Sequence, residues 1–514
     1  MSTPMPHPHH TREVVLGIDV GTTAAKVSAF GLGDEVGWRC TAFREYPLQQ
    51  PQPGWEVQDS AVVMEAVLVS LAECVESCGG ATVVAIGLST AMHGLVGLDA
   101  DQRPLTPLVT WADSRAAGVA DELRRQGLAS ALASRSGTPL HSMSPLTKLI
   151  WFTRHDPEVS ARVRHWVGLK DVLIATLTGT LATERSCASG TGLLDLASGQ
   201  WSPASADLAG ISIDQLPPIL ATTASLPLSS HVAARVGLPS GIPVIVGAGD
   251  GPLGNLGVGA LDPGVAGLSL GTSGALRMVT DAPLLNNSGS LFCYALTDDA
   301  WVVGGAVSNG GVVGRWAADM FAGPEGASDE ALMELAASVP AGSDGLVMIP
   351  YLMGERAPLW DPTIPGAYLG VRRMHTPAHF ARAALEGVGM TLATVLDGLD
   401  AVHPVDEVRA TGGVFRAQLW RDIVAACLDR PLVLAGGAEG TGLGASALAL
   451  LATGRAASLR GALHLLGADP AQVSGERAGD ADVAVYRESR RRIAELVSAY
   501  GPLASAMTPR DAKA

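Results

Sequence analysis

Short apolar runs separated by glycine turns open the chain and predict strands. VVLGIDV (14–20) is typical of a buried strand, GTT forms a tight turn, and AAKVSAF (24–30) returns, so together they predict a β-hairpin. A helical pattern over 59–77 leads to another buried strand, TVVAIGLS (82–89). Helices and polar loops then alternate over 116–180. The first part of the chain is therefore expected to combine a sheet with covering helices.

The rest of the chain continues this alternation. A strand, a glycine-rich turn and a helix are predicted over 241–259, and strand-like segments recur at 343–352 and 407–413. Strands that alternate with helices in both halves predict an α/β architecture. The predicted helices of the second half span 377–400, 416–428, 441–454 and 484–500.

One short sequence motif occurs twice in the chain. GIDVGTT, which begins at Gly17, recurs as GLSLGTS from Gly267. The glycines and turn hydroxyls align, whereas Asp19 of the first copy corresponds to Ser269 of the second. A chain of 514 residues exceeds one ordinary core, so we expect two domains of about 250 residues each. We place their boundary at 259–266, and a cleft between them is the expected site.

Composition narrows the function classes. Hydrophobic residues make up 47% and charged residues 17% of the chain, as in globular proteins. A net charge of −15 argues against nucleic-acid binding. Six cysteines without a CxxC pair predict no disulfide framework and a reduced, cytoplasmic location. Cys74 and Cys78, four apart on a predicted helix, could bind a metal or pack in the core. Neither a signal peptide nor a membrane span is expected.

The repeated turn suits phosphate binding. Glycine lets backbone N–H groups converge, and the hydroxyls of Thr22 and Thr23 add donors. Asp19 offers hard oxygen ligands for Mg²⁺, and Lys26 could add positive charge on the same face. The alternative is that GTT is merely a hairpin turn. Two copies favour a cradle that grips a polyphosphate from both sides.

A second glycine-rich segment allows a different interpretation. Gly249 to Gly254 spells GxGxxG after a predicted strand, as in Rossmann dinucleotide sites. The usual acidic residue about 20 positions further on is missing, and Pro252 interrupts the fingerprint. Asp250 lies in this turn, where it could cap the following helix or act as a general base on a substrate hydroxyl. These alternatives stay open on the residues alone.

Two longer segments resemble known signatures. MSPLTKLIWFTRH (143–155) and GAYLGVRRMHTPAHFARAALEG (366–387) resemble the two signatures of the FGGY carbohydrate kinases, in the family's order. The resemblance covers about residues 13–500. It implies an α/β, duplicated actin-like ATPase (ribonuclease H-like) fold with two domains around a central cleft. It also implies ATP-dependent phosphorylation of a sugar, with Mg²⁺, and a homodimer.

The resemblance carries roles onto individual positions. It implies that Asp250 is the catalytic base, that Asp19 serves the metal, and that Met92, His93, Trp111 and Asp113 contact the sugar. Two further segments, YLMGERAPLW (351–360) and CASGTGLLDLASGQW (187–201), are taken as mostly structural. Ala417 departs from the family, which usually places Ser or Asn near the adenine. The implied ATP-binding residues are Thr22, Thr23, Lys26, Thr272, Gly311, Gly413 and Ala417.

Four short sequence segments resemble those of the gluconokinase branch, namely HSMSPLTKLIW (141–151), GLKD (168–171), WADSR and GDGPLGNLG. A pocket for a sugar acid should offer cationic groups or strong donors. The candidates are His93, Arg115, His141 and Lys170; alternatively, Arg115 and Lys170 are surface charges and His141 caps a turn. Xylulose or another ketose or polyol is the alternative substrate. An actin-like or chaperone-like ATPase switch without sugar chemistry is the alternative class.

These inferences divide the chain into four parts. A flexible tail is expected over 1–12 and another over 501–514. Between them, 13–259 is expected to bind the sugar and to carry the first phosphate turn and Asp250, and 260–500 is expected to bind the nucleotide.

Overall fold

The computed structural model describes residues 12–286, 289–323, 328–435, 440–468 and 477–507. Most of the predicted N-terminal tail (1–12) and the end of the predicted C-terminal tail (508–514) lie outside the described residues.

The N-terminal half begins with the predicted hairpin and ends with the strand and helix around Asp250. Its strands are β1 (Glu13–Val20), β2 (Ala24–Gly31), β3 (Arg39–Glu45), β4 (Val57–Gln58), β5 (Thr82–Thr90), β6 (Val96–Leu98), β7 (Leu108–Val109), β8 (His165–Val167), β9 (Thr183–Glu184), β10 (Leu194–Asp195), β11 (Gln200–Trp201), β12 (Ile219–Leu220), β13 (Ser225–Pro227) and β14 (Pro243–Gly249). Its helices are α1 (Ser60–Ser77), α2 (Ala117–Arg125), α3 (Ala129–Ser136), α4 (Pro145–His155), α5 (Pro157–Arg162), α6 (Leu169–Thr178), α7 (Arg185–Ser189), α8 (Pro203–Ala209), α9 (Ser230–Val236) and α10 (Asp250–Gly257).

The C-terminal half restarts with a second hairpin. Its strands are β15 (Val265–Leu270), β16 (Gly274–Thr280), β17 (Phe292–Ala295), β18 (Trp301–Val307), β19 (Val347–Ile349), β20 (Ala367–Leu369), β21 (Glu407–Thr411) and β22 (Leu432–Leu434). Its helices are α11 (Gly311–Phe321), α12 (Asp329–Ala337), α13 (Pro377–Asp400), α14 (Gln418–Leu428), α15 (Gly440–Ala452), α16 (Leu459–Leu465) and α17 (Asp480–Met507).

Each half contains a six-stranded sheet, and the two sheets have a similar arrangement of strands. The first has the order β13-β14-β5-β1-β2-β3 and the second β17-β18-β16-β15-β21-β22. In each, three strands pair antiparallel through the hairpin, and two later strands add in parallel on the other side of the first strand. The sixth strands differ, because β13 pairs antiparallel with β14 at one edge of the first sheet, whereas β17 pairs antiparallel with β18 at the opposite edge of the second, so the two orders match over five strands. Parallel neighbours require crossover connections, which the helices supply. The matching order confirms the predicted duplication and the actin-like architecture.

Local sequence explains where the long helices begin. Asp59 precedes α1, and its carboxylate accepts a hydrogen bond from Ala61 N at 2.8 Å. Thr376 and His379 form a capping box ahead of α13, whose first residue is Pro377. Such caps satisfy backbone N–H groups that have no intrahelical partner. The predicted bounds of α1 and α13 agree with the structure to within one residue because these signals are local.

Helix α15 crosses the predicted domain division. It belongs to the second half by sequence but packs on β1, β5 and α10 of the first. Glycines allow this close approach: a Cβ on Gly17 or Gly87 would overlap the backbone carbonyls of Gly442 or Ala445. The two halves are therefore joined by a packed helix as well as by the chain connection.

Two other segments differ from expectation. The stretch 343–352 contributes only β19, which pairs with β20 in a small separate sheet rather than in the main sheet. The C-terminal helix is longer than predicted: α17 begins at Asp480 and continues to Met507, so the residues from 501 onward are helical at first rather than a tail. None of the helices in the described ranges has the length and apolar character needed to span a bilayer.

Candidate active site

A pocket of about 230 Å³ opens between the two halves, and both contribute to its wall. Five residues expected at the site line it, namely Thr22, Met92, His93, Trp111 and Asp250. The structure thus brings together four segments of the N-terminal half that are distant in sequence. The opposite wall comes from β16, β17 and the residues around Arg356.

Asp250 is the first residue of α10 and follows directly on β14. The N-cap of α10 is Gly249, which has no side chain to cap the helix, and Asp250 Oδ1 accepts a hydrogen bond from Gly251 N at 2.7 Å. Asp250 therefore does not occupy the N-cap position, and its carboxylate faces the pocket. Burial and the nearby charge of Asp19 raise the pKa of Asp250 to about 6. A carboxylate with such a pKa is suited to accept a proton near neutral pH.

Asp19 lies near the end of β1 and is held by two hydroxyl groups. Ser89 donates to Oδ1 at 2.8 Å, and Thr441 of α15 donates to Oδ2 at 2.5 Å. Lys26 is its direct partner across the β1–β2 ladder, so both side chains leave the sheet on the same face. This agrees with the expected placement of Lys26.

The first hairpin turn is attached to the loop that carries Trp111. The indole Nε1 of Trp111 donates to Thr22 Oγ1 at 2.8 Å. Side chains also fix the turn's backbone: Gln58 donates to Thr22 O and Tyr46 to Gly21 O, each at 2.6 Å. Thr23 is exposed at the tip. The turn is thus held rigid by residues outside it.

His93 is held in an unusual backbone conformation. Its φ is +66°, a region that side chains rarely adopt, and its ring Nδ1 pairs with Gly190 O at 2.8 Å. Burial lowers the pKa of His93 to about 3, so the ring is neutral at physiological pH. The Lys148 ammonium donates to the carbonyls of His93 and Thr110 at 2.7 Å each. Lys148 therefore ties together the two loops that carry His93 and Trp111.

Lys170 does not reach the pocket. Its ammonium is buried and donates to the carbonyls of Leu88, Val246 and Ala248 at 2.9–3.0 Å. These carbonyls belong to β5 and β14, and β14 ends next to Asp250. The expectation of sugar contact is not supported by this placement, because Lys170 braces the strand that leads to Asp250. It is not a surface charge either.

Asp113 and Arg115 also lie outside the pocket. They form a buried ion pair, with Arg115 Nη2 2.8 Å from Asp113 Oδ2, and Asp113 additionally accepts from Glu56 N at 2.8 Å. The guanidinium lies 3.8 Å from the centre of the Trp55 ring. With its acceptors occupied in this way, Asp113 shapes the loop around Trp111 instead of facing the pocket.

His141 has the alternative role foreseen for it. Its Nδ1 accepts from Met143 N at 3.1 Å, which caps a turn, and its ring packs edge-on against Trp360. Burial lowers the pKa of His141 to about 3. Met143, rather than His141, lines the pocket.

A second cavity, of about 1000 Å³, adjoins the second hairpin turn. All four residues expected there line it, namely Thr272, Gly311, Gly413 and Ala417. Gly311 is required sterically because a Cβ would lie 2.8 Å from the backbone oxygen of Gly271, whereas Gly413 has open space beside it. Ala417 is the N-cap of α14 and makes no side-chain cap bond.

The second hairpin turn separates the two cavities. Gly271 and Thr272 line the larger one, while Ser273 and Gly274 line the smaller one. Gly311 N donates to Gly271 O at 2.7 Å and fixes the turn against the start of α11. A group bound in the larger cavity at this turn therefore lies next to the pocket that contains Asp250.

Known protein families match the chain over most of its length. The N-terminal domain of the FGGY family of carbohydrate kinases matches residues 14–257, and the family's C-terminal domain matches residues 266–453. The chain belongs to the FGGY family of carbohydrate kinases. It is accordingly a sugar kinase with ATP as co-substrate. Family membership removes the Rossmann dinucleotide site and the ATPase switch as alternatives.

Individual FGGY kinases are similar to the chain in sequence and in structure. A gluconokinase of Bacillus subtilis (strain 168) is 36% identical over 464 residues, covering 88% of this chain and 90% of the relative. A xylulose kinase of Escherichia coli (strain K12) is 33% identical over 463 residues, covering 86% of this chain and 91% of the relative. The crystal structure of a gluconate kinase from Lactobacillus acidophilus superimposes with a TM-score of 0.89 at 30% identity, covering 95% of this chain and 98% of that one.

This FGGY kinase has pocket residues that the motifs did not single out. Arg277, Tyr294 and Arg356 line the smaller pocket, and Arg315 Nη2 donates to Thr272 Oγ1 at 2.9 Å beside the larger one. Arg356 lies in the segment 351–360, which was expected to be structural. Arg277 had a detectable signal, because a lone arginine within the apolar strand GALRMVT is costly unless it has a partner or a function.

Proposed function

We propose that this FGGY kinase transfers the γ-phosphoryl group of ATP to the primary hydroxyl of D-gluconate and forms 6-phospho-D-gluconate. The similarity to a relative named gluconokinase and to a structure named gluconate kinase supports this substrate. The xylulose kinase at 33% identity keeps xylulose, or another ketose or polyol, as the second candidate.

The charge of the sugar pocket is the observation that favours a sugar acid. Two guanidinium groups, Arg277 and Arg356, line the pocket together with one carboxylate, Asp250. Burial lowers the pKa of both arginines, that of Arg277 to about 10. Arg277 Nε and Tyr294 Oη are buried and have no hydrogen-bond partner among the described residues. An anionic substrate with several hydroxyl groups would neutralise the excess charge and satisfy these donors.

We assign the two arginines to opposite ends of the substrate. Both arginines interact electrostatically with Asp250, but Arg277 packs beside Gly251, the residue after Asp250, so we place Arg277 at the transfer end. Arg356 lies 4.9 Å from the centre of the Trp111 ring and is anchored by Val307 O at 2.8 Å. In this position it would pair with the carboxylate of gluconate, while the far hydroxyl approaches Asp250.

Asp250 is proposed as the general base. It accepts the proton of the primary hydroxyl as that oxygen attacks the γ-phosphorus of ATP bound in the larger cavity. The second turn lies between the two substrates, where its N–H groups and the Thr272 hydroxyl can hold phosphate oxygens. Closure of the two halves would exclude water and limit ATP hydrolysis.

The residues around Asp19 fit Mg²⁺. The donors are carboxylate and hydroxyl oxygens, the ligands that this hard cation prefers. The charge of Asp19 also raises the pKa of Asp250, so the two carboxylates lie within electrostatic reach of each other. Asp19 would hold Mg²⁺, directly or through waters, and the ion would neutralise charge on the ATP phosphates. A homodimer and a cytoplasmic location stay predictions.

A substrate panel tests this proposal. We expect kcat/KM with ATP to be highest for gluconate among gluconate, xylulose, ribulose and glycerol. Higher kcat/KM for xylulose would overturn gluconate as the substrate while leaving the sugar kinase intact.

The variant Arg356→Met, assayed with the same sugars, tests the proposed contact between Arg356 and the gluconate carboxylate. Losing a hydrogen bond to a charged group costs about 1.5–3 kcal/mol, so kcat/KM for gluconate should fall by about 10- to 100-fold. Any residual activity on neutral xylulose should fall much less, and Arg356→Lys should recover part of the loss with gluconate. Equal losses for both sugars would contradict the assigned carboxylate contact.

A further inference from the structure

Three cysteines meet on the outer side of the N-terminal sheet, in neither of the two active-site cavities. Cys40 lies on the edge strand β3, Cys74 is in the last turn of α1, and Cys78 is the C-cap of that helix. Cys40 Sγ is 3.8 Å from Cys74 Sγ and 3.9 Å from Cys78 Sγ, and the three sulfur atoms lie within 4.8 Å of one another. Within the described ranges, this is the one group of three or more His, Cys, Asp or Glu side chains with such a spacing.

The spacing matches that of a metal-bound thiolate set. Zinc binds thiolate sulfur at about 2.3 Å in tetrahedral geometry, which places two sulfur ligands about 3.8 Å apart. The two Sγ–Sγ distances from Cys40 therefore equal the edge of a zinc–thiolate tetrahedron without rearrangement of the backbone. All three thiols are free, so each can act as a ligand.

Thiophilic cations bind cysteine as the thiolate, so each of the three thiols would release its proton on metal binding.

The charge near the three cysteines and the access of solvent to them are also compatible with a bound cation. A divalent cation with three thiolates carries one net negative charge, and the Arg12 guanidinium lies close enough to act on Cys78. Arg12 is kept in place by the ring of Trp38, 4.3 Å from its centroid. Cys74 and Cys78 are buried, whereas Cys40 is partly exposed and gives solvent a route to the cluster.

We propose that Cys40, Cys74 and Cys78 form a three-thiolate binding site for a thiophilic divalent cation of the zinc class. The bound ion would join the edge strand β3 to the C-terminal end of α1. The site would stabilise the N-terminal half and would take no part in phosphoryl transfer.

Cd²⁺ is a suitable probe because thiolate–cadmium charge transfer absorbs in the ultraviolet in proportion to the number of bound thiolates. The full-length chain is reduced, freed of metal with a chelator and titrated with Cd²⁺, and Zn²⁺ is then added in competition. The parent for all variants carries His7→Ala, His9→Ala and His10→Ala, which removes histidine ligands near the N-terminus. We expect charge transfer to saturate at one equivalent per chain with the intensity of three thiolates, and Zn²⁺ to displace Cd²⁺.

Matched variants assign the signal to the cluster. Cys40→Ala should weaken Cd²⁺ binding by about tenfold or more, while Cys427→Ala, a buried free cysteine elsewhere, should leave it unchanged. Zn²⁺ should also raise the unfolding temperature of the parent but not of Cys40→Ala. Absence of stoichiometric charge transfer in the fully reduced, folded parent would overturn the proposal. So would unchanged binding in Cys40→Ala, or conversion of the cluster to a disulfide that forms in preference to the metal complex.

Discussion

The Thr441 hydroxyl donates to Asp19 Oδ2 at 2.5 Å, although 422 residues separate the two along the chain. Asp19 lies on the first strand of the N-terminal sheet, and Thr441 opens a helix that comes from the second half. The residue proposed to serve Mg²⁺ is therefore oriented by both halves of the kinase. Any movement of α15 relative to β1 would change the position of this carboxylate.

Thr441→Val tests this link. The substitution removes a hydrogen bond to a charged group, worth about 1.5–3 kcal/mol, and leaves Asp19 held by Ser89 alone. We expect kcat/KM for ATP to fall by about tenfold or more at a fixed Mg²⁺ concentration, and part of the loss to be recovered at high Mg²⁺. Thr453→Val is the matched control, because the Thr453 hydroxyl bonds only within its own turn, to Ala449 O at 2.8 Å and Leu450 O at 3.4 Å. Equal kinetics for the two variants would contradict the proposed role of Thr441.

The pH dependence of the reaction should report Asp250. Burial and Asp19 favour the protonated form and raise its pKa to about 6. The base must be ionised, so kcat/KM for the sugar should fall by about tenfold per pH unit below pH 6. His93 and His141 stay neutral over this range because burial lowers the pKa of each to about 3.

Two variants check the assignment of this acid limb. Asp250→Asn should abolish most turnover, and Asp19→Asn should move the limb of the residual activity to lower pH, because it removes the like charge. An acid limb that stays near pH 6 in Asp19→Asn, or turnover near the parent value in Asp250→Asn, would show that another group titrates.

The sequence predicted those features that depend on neighbouring residues. The hairpins β1–β2 and β15–β16 follow from glycine turns between apolar runs, and the composition of the GTT and GTS turns made them candidates for phosphate binding, which stays a prediction. Lys170 shows the limit of such reasoning. Its spelling in GLKD suggested a ligand for an anionic sugar, but three backbone carbonyls take its ammonium, the nearest of them 76 residues away in sequence. The pattern of side chains along the sequence does not show which backbone carbonyls will surround a given residue in the fold.

Arg356 and Thr441 were missed for the same physical reason. Each acts across the boundary between the halves, and the sequence contains no measure of which loops face each other there. Family resemblance located the segments but could not say which side chain of a segment turns toward the cleft.

Two buried lysines brace different parts of the site and should give different kinetic signatures. Lys148 holds the carbonyls of His93 and Thr110 in the sugar-side loops, and Lys170 holds β14 ahead of Asp250. We expect Lys148→Met to raise the KM for the sugar mainly, and Lys170→Met to lower kcat mainly. Unsatisfied buried carbonyls cost about 1–3 kcal/mol each, so both variants should be assayed at a temperature where circular dichroism shows them folded. An identical split between KM and kcat in the two variants would contradict these separate roles.

The close packing of α15 on β1 gives a prediction for stability. A Cβ on Gly17 would overlap the carbonyl of Gly442 and lie 2.8 Å from Ser446 Oγ, so Gly17→Ala must push α15 away from the sheet. Overpacking of this kind costs about 1–3 kcal/mol. We expect calorimetry to show a lower unfolding temperature. We also expect a lower kcat/KM for ATP, because Thr441 moves with the helix. Gly118→Ala on α2 is the matched control: no atom lies within 4 Å of its added Cβ, and alanine favours the helix. If Gly17→Ala and Gly118→Ala unfolded at the same temperature, the contact between α15 and β1 would not be as close as the structure places it.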